Sequence, residues 1–286
     1  CSDTGLQKVV VILYDVSGNA STDSVNVFIA DTISPQYTKT PYTAQLVGDS
    51  AIVTRADILS NVAGGCFTPA VAILSDTIFY CADVFTNPNY ITFTIGSGVN
   101  LITDSVAVTV ADTTKPILVL KSDTVYISGA TASVTFANID NNSTDNCALD
   151  SATINGLTQL DFTCADLGMQ KVGVMLYDVS GNVSADSVDV FVADTTAPML
   201  ALKSDTLILV NSSVTLTFAN IDDNSSDNCG LDSATVNGMS SVIYSCSDTG
   251  LQKVVVILYD VSGNASTDSV NVFIADTISP QYTKTP

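Results

Sequence analysis

The chain has 286 residues, 46% of them hydrophobic and only 13% charged, with 29 acidic residues against 9 Lys and Arg and a net charge of −20. Every acid is Asp, and neither His nor Trp occurs. This composition excludes the basic footprint of a nucleic-acid binder and any chemistry that needs an imidazole. It also disfavours a helical protein, and no apolar run approaches the ~20 residues that span a membrane.

In chain order, the first feature is a repeat. Residues 1–41 recur letter for letter as 246–286. Within that offset of 245 lies a shorter period. Ala-Asp-Thr-x-x-Pro ends at Pro35, Pro116, Pro198 and Pro280, at spacings of 81, 82 and 82. The segments are therefore 1–35 (the last part of a truncated repeat), 36–116 (a divergent repeat), 117–198, 199–280, and 281–286 as the start of another. The partial repeat reads as cut from a longer polypeptide, or as completed by a neighbouring chain. Identity between copies this far apart points to recent duplication.

Within 117–198, runs rich in Val, Thr and Ser alternate with Asp/Asn/Gly turns. They predict seven strands over residues 117–121, 124–128, 132–137, 151–154, 159–163, 170–177 and 187–193. The last two form a hairpin around Asp178-Val-Ser-Gly-Asn182. Val188, Val190 and Val192 alternate onto one face. Seven short strands in each period give an all-β fold of tandem immunoglobulin-like sandwiches.

The cysteines follow the period. Cys147 and Cys164 stand 17 apart, as do Cys229 and Cys246, and Cys66 and Cys81 stand 15 apart. These spacings predict one disulfide inside each repeat, with the partner of Cys1 upstream of the chain. Each bond would contribute roughly 3 kcal/mol and implies an oxidising, extracytoplasmic location.

The pattern Asp-Asn-Cys, Cys, Asp-x-Ser-Gly-Asn, Val-x-Asp-Thr-x-x-Pro resembles the hyalin-type immunoglobulin-like repeat. It is most similar to the versions in giant surface adhesins of Bacteroidota-type bacteria. The resemblance covers 117–280 well, 1–35 in part and 36–116 weakly. It implies an extracellular stalk, filament or adhesive module rather than an enzyme, and names no ligand.

Aspartates recur in three places: the loops 140–146 and 222–228, the hairpin tips, and the linkers. In an immunoglobulin-like topology these places meet at one end. Asp112, Asp140, Asp145, Asp178 and Asn182 are then candidates for one Ca²⁺ site, and Asp194, Asp222, Asp227, Asp260 and Asn264 for a second. The alternative is that Asp and Asn serve only turns. The divergent repeat has Leu59 and Gly64 for the loop Asp pair and Gly96 for the hairpin Asp, with Asn100 retained. Its junction is expected to bind calcium poorly.

Other motifs weigh less. Asp3-Thr-Gly5 and Asp248-Thr-Gly250 match a protease tripeptide, but they are copies of one position rather than a facing pair. Asp-Ser/Thr motifs resemble Bacteroidota O-glycosylation acceptors at Ser24, Thr32, Ser50, Thr77, Ser105, Thr113, Thr124, Ser151, Ser187, Thr195, Thr206, Ser233, Ser269 and Thr277. Asn-x-Ser/Thr sequons fall at Asn19, Asn141, Asn142, Asn182, Asn211, Asn224 and Asn264. The leading expectation is a non-enzymatic structural segment whose partners are its neighbouring repeats, with lateral self-association open and any distal ligand undefined. The alternative is a carbohydrate- or protein-binding module in repeat 36–116, centred on Phe79, Tyr80, Phe85, Tyr90 and Phe93.

Overall fold

The computed structural model describes residues 3–66, 68–96 and 100–279. Cys1 and the segment 281–286 lie outside the described residues. The chain opens on an antiparallel hairpin of β1 (Gly5–Tyr14) and β2 (Ala20–Ile29). The divergent repeat follows with β3 (Gln36–Lys39), β4 (Tyr42–Gln45), β5 (Ser50–Ile52), β6 (Leu59–Ala63), β7 (Val71–Ile73), β8 (Ile78–Tyr80), β9 (Asn89–Ile95) and β10 (Ile102–Ala111). Its main sheet has the order β4-β10-β9-β7, with β3-β6 and β5-β8 as separate pairs.

The next two repeats share one plan. The first contains β11 (Asp123–Ile127), β12 (Thr131–Thr135), β13 (Leu149–Ile154), β14 (Gln159–Thr163), β15 (Gly168–Asp178) and β16 (Val183–Asp194). The second contains β17 (Asp205–Ile208), β18 (Ser213–Thr217), β19 (Leu231–Val236), β20 (Ser241–Ser245), β21 (Gly250–Asp260) and β22 (Ala265–Ala275). Each makes a four-stranded sheet, β11-β16-β15-β13 or β17-β22-β21-β19, and a two-stranded one, β12-β14 or β18-β20. In each large sheet the first strand pairs parallel with the last, as Val125 with Val192 and Leu207 with Ile274. These are tandem immunoglobulin-like β-sandwiches.

Alternation explains the cores. Val172 and Val174 on β15 and Val190 and Val192 on β16 are buried, and their neighbours face outward. Ile139, Ile154 and Phe162 pack on them. Val254, Val256, Val272 and Ile274 do the same one period later, with Leu216 and Tyr244. Burying each such side chain is worth about 1.5–3 kcal/mol. Compactness divides the chain into two units. One gathers the residues up to Ile117 with Thr144–Ser151 and Leu176–Ser184; the other gathers Leu118–Ser143, Ala152–Met175 and the residues from Ala185 onward.

Three expectations are corrected. The strand expected over 117–121 is reduced to isolated bridges, Ile117 with Thr144 and Leu120 with Asp140. Between them the Ser143 hydroxyl accepts from the Val119 N–H at 3.0 Å and donates to its carbonyl at 3.2 Å, so a side chain replaces a ladder partner. The strand expected over 132–137 stops at Thr135, and a helical turn α1 (Phe136–Ile139) follows. The Thr135 N–H and hydroxyl both donate to Asn138 Oδ1 at 2.8 Å, which starts that turn.

The third correction concerns the disulfides. Cys81 bonds Cys147 and Cys164 bonds Cys229, with Cα–Cα distances of 5.3 and 5.2 Å. The bonds therefore join consecutive repeats rather than closing loops within one, and the pairings Cys66–Cys81, Cys147–Cys164 and Cys229–Cys246 do not form. Among the described residues Cys66 and Cys246 are unbonded. The reason is topological. Cys147 leads into β13 of the large sheet, whereas Cys164 follows β14 of the small one. Cys81 and Cys164 each lie against the Asn-Cys loop of the next repeat, Cys81 Sγ at 3.6 Å from the Asn146 carbonyl and Cys164 Sγ at 3.4 Å from that of Asn228. Loops of 66 and 65 residues raise the entropic stabilisation of each bond from about 3 to about 4 kcal/mol.

Candidate metal centre

The hairpin tip is built by its own sequence. Asp178 Oδ1 accepts from the N–H groups of Ser180 and Asn182, both at 2.8 Å, and Oδ2 accepts from Asn182 Nδ2 at 2.8 Å. Asp260 does the same with Ser262 and Asn264. Asp15 repeats it with Ser17 and Asn19 at a fully exposed tip. The tip fold is thus local turn chemistry.

The tip then meets the linker. Asn182 Nδ2 donates to the Asp112 carbonyl at 3.2 Å, and the Ser180 hydroxyl donates to Asp112 Oδ2 at 3.2 Å. From the loop, Asn146 Nδ2 reaches Asp112 Oδ1 at 3.3 Å. Asp145 Oδ2 accepts from the N–H groups of Cys147 and Ala148. The outcome is a triad, Asp112, Asp145 and Asp178, whose ligand oxygens lie within 4.8 Å of one another. Asp112 is 6% exposed and Asp178 2%. One period later Asp194, Asp227 and Asp260 form the same triad, with Asn228, Ser262 and Asn264 in the supporting places.

Two features set the triads apart from turn chemistry alone. Carboxylates this close repel by about 3 kcal/mol per pair at an effective dielectric constant near 20. Among the described residues the one ion pair is Lys39–Asp104, so no Lys or Arg neutralises either triad. Second, Asp145 Oδ1 and Asn146 Oδ1 are buried without a hydrogen-bond partner, and so are Asp227 Oδ1 and Asn228 Oδ1. A buried oxygen without a donor is costly unless something positive meets it. The donors are all oxygens, which suits a hard cation.

Asp140 and Asp222 are not part of these groups. Each accepts from a backbone N–H three residues on, that of Ser143 or Ser225. Burial pushes the Asp140 carboxyl up, but hydrogen bonds from the Ser143 hydroxyl and nearby N–H groups prevail and hold its pKa below the usual value. Asn182 and Asn264 act as donors that fasten the linker carbonyl rather than as ligands. Asn146, Asn228, Ser180 and Ser262 are the partners that sequence reasoning left out. The Asp-Asn-Cys motif carried the signal for the first two.

The divergent repeat solves its junction differently. Asn100 Nδ2 still donates to the linker carbonyl, that of Asp31. Gly64 and Gly96 bring no carboxylates, and a cavity of about 400 Å³ remains, lined in part by Asp31, Gly64, Gly65 and Gly96. The Asp31 carboxylate is satisfied by main chain instead, accepting from the Cys66 N–H at 2.7 Å and the Ile33 N–H at 3.0 Å. Those two donors hold its pKa below the ordinary value.

The remaining candidates fall as follows. Asp248 of the Asp-Thr-Gly copy accepts from the Ser245 N–H and hydroxyl and starts a short turn, and Gly250 takes a φ of +108° that suits glycine. Of the proposed aromatic platform, Phe79 and Phe93 lie in the core, and only Tyr80, Phe85 and Tyr90 are exposed. None of the fourteen candidate O-glycosylation residues is buried; Ser50, Thr77, Ser105 and Ser269 are half-buried and the rest exposed. Among the described residues no helix is long and apolar enough to cross a membrane.

No protein-family model matches the chain, and no curated protein matches it. Among solved structures it is similar to the protocadherin GammaB4 extracellular domain, at 13% identity over 96% of this chain and 56% of that one, with a TM-score of 0.32. The human desmocollin-1 ectodomain is similar at 13% over 96% and 66%, TM-score 0.25. The N-terminal eight Ig domains of Down syndrome cell adhesion molecule are similar at 11% over 96% and 45%, TM-score 0.25. These likenesses are remote, and the reading of the site rests on its own geometry.

Proposed function

We propose that this chain is a spacer segment of a long extracellular tandem-repeat protein, a stalk or surface filament, and that calcium clamps two of its repeat junctions. The carrying observation is the pair of buried Asp triads, each with two buried oxygens that no donor reaches. When bound, the cation supplies the positive charge that lets three carboxylates stay ionised side by side. Asp112 or Asp194 brings the linker, Asp145 or Asp227 the loop, and Asp178 or Asp260 the hairpin tip of the following repeat. One ion therefore ties two repeats together. Disulfides between repeats support an oxidising, extracellular setting. The hyalin-type motifs agree with this reading, and the exposed Asp-Ser/Thr positions leave room for O-linked sugar. The strong negative charge keeps such an array soluble and self-repelling.

Calorimetric titration of the whole chain with calcium is the test. Two equivalents are expected. No binding at millimolar calcium overturns the clamp.

A further inference from the structure

We infer that the inter-repeat disulfides are the tension-bearing path through repeat 117–198 and keep most of that repeat out of that path. The inference goes beyond the calcium clamp and needs only the covalent connectivity. Cys81–Cys147 encloses 66 residue spacings and Cys164–Cys229 encloses 65. The two loops do not overlap in sequence. A pull that reaches one cysteine of a closed loop crosses the S–S bond and leaves by the other; the enclosed chain bears none of it. Hydrogen-bonded strands give way before covalent bonds do. An overloaded junction therefore releases only the connecting stretch from Cys147 to Cys164, which holds β13 and β14.

The difference is large. That stretch extends by roughly 60 Å, whereas a whole repeat extends by roughly 280 Å. The long strands β15 and β16 lie wholly inside the second loop, as do Asp178, Asp194 and Asp227. The opposite pairing, Cys147 with Cys164, would invert the outcome: it would shield the short stretch and load the long one. The observed connectivity makes the array a tether of short, fixed reach.

The experiment stretches single molecules of the full chain, held by handles at both ends, before and after dithiothreitol, each with calcium and with chelator. The quantity read is the contour length once every sandwich is unfolded, so a variant's stability does not matter. The two loops hide 66 and 65 spacings, or 131 in all, so reduction is expected to lengthen the chain by roughly 450 Å. The double variant Cys81→Ser, Cys147→Ser is expected to be longer by roughly 220 Å before reduction. A gain of roughly 450 Å upholds the load path. A gain of roughly 170 Å, the value for three short loops of 15, 17 and 17 spacings each closed within one repeat, or no gain at all, overturns the load path. The gain is expected to be the same in chelator. If it persists while calcium binds nowhere, the clamp fails and the load path stands.

Discussion

The Asp31 junction and the Asp112 junction start from the same linker aspartate and part at its carboxylate. At Asp112, the loop supplies Asp145 and the tip supplies Asp178, and buried oxygens are left facing one another. At Asp31, glycines stand in both places and the Cys66 N–H reaches the carboxylate directly. The shared fastening, an Asn amide on the linker carbonyl, persists in both. The contrast separates what holds the chain in place from what collects charge. Main-chain donors answer the linker Asp at the Asp31 junction, whereas at Asp112 three carboxylates meet, the arrangement on which the calcium proposal rests.

Chelation sharpens that contrast most. At calcium one hundred times its dissociation constant, each centre gains about 2.7 kcal/mol. Removing calcium should therefore lower the unfolding midpoint by about 10 °C, read by calorimetry. An unchanged midpoint would count against both centres. Next in size is Asp145→Asn, which retains an oxygen for the Cys147 N–H but removes one charge. Calcium stoichiometry should fall from two to one, with the Asp194 centre intact; two equivalents at wild-type affinity would show that Asp145 is no ligand. Gly96→Asp is the tempting way to restore the missing carboxylate, and it should fail. Gly96 has a φ of +111°, and a Cβ there would run into the Asn100 carbonyl and come within 3.0 Å of Pro35 Cγ. A loss of about 1–3 kcal/mol in denaturant unfolding, with no third equivalent of calcium, is expected. Asp31→Asn should have the smallest effect and one blind to calcium. The Asp31 pKa is lowered in the fold, so its contribution is present above the ordinary carboxylate value near 3.9 and fades as pH falls below it. The variant should show a shallower loss of stability in acid, measured by pH-dependent melting.

Much of the sandwich was legible because valines alternate and the turns carry Asp, Gly and Asn. The linker, loop and tip aspartates were legible as a meeting place because the period repeats them together. Disulfide pairing was not, for an arithmetical reason. In an array of period 82, cysteines 17 apart within a repeat are 65 apart across repeats, and both spacings recur equally well. Only the folded chain, which seats Cys164 against the Asn228–Cys229 loop of the next repeat, separates the two. Asp140 was misplaced because an Asp in an acidic loop reads the same whether it faces the junction or turns back onto Ser143. The helical turn after Thr135 was written in the Thr-Phe-Ala-Asn stretch, but an Asn in the place where a cap usually has Glu or Gln hid it.

The cross-repeat bonding also bears on how such a gene can grow. Each period contributes one cysteine that reaches forward and one that receives from behind. Recombination that adds or removes whole periods keeps every thiol matched, whereas an insertion out of step strands one. Duplication of the 245-residue block is in step. It would also copy the Asp31-type junction once in every three, so that the lineage inherits the spacing of its glycine-bearing joints along with its length.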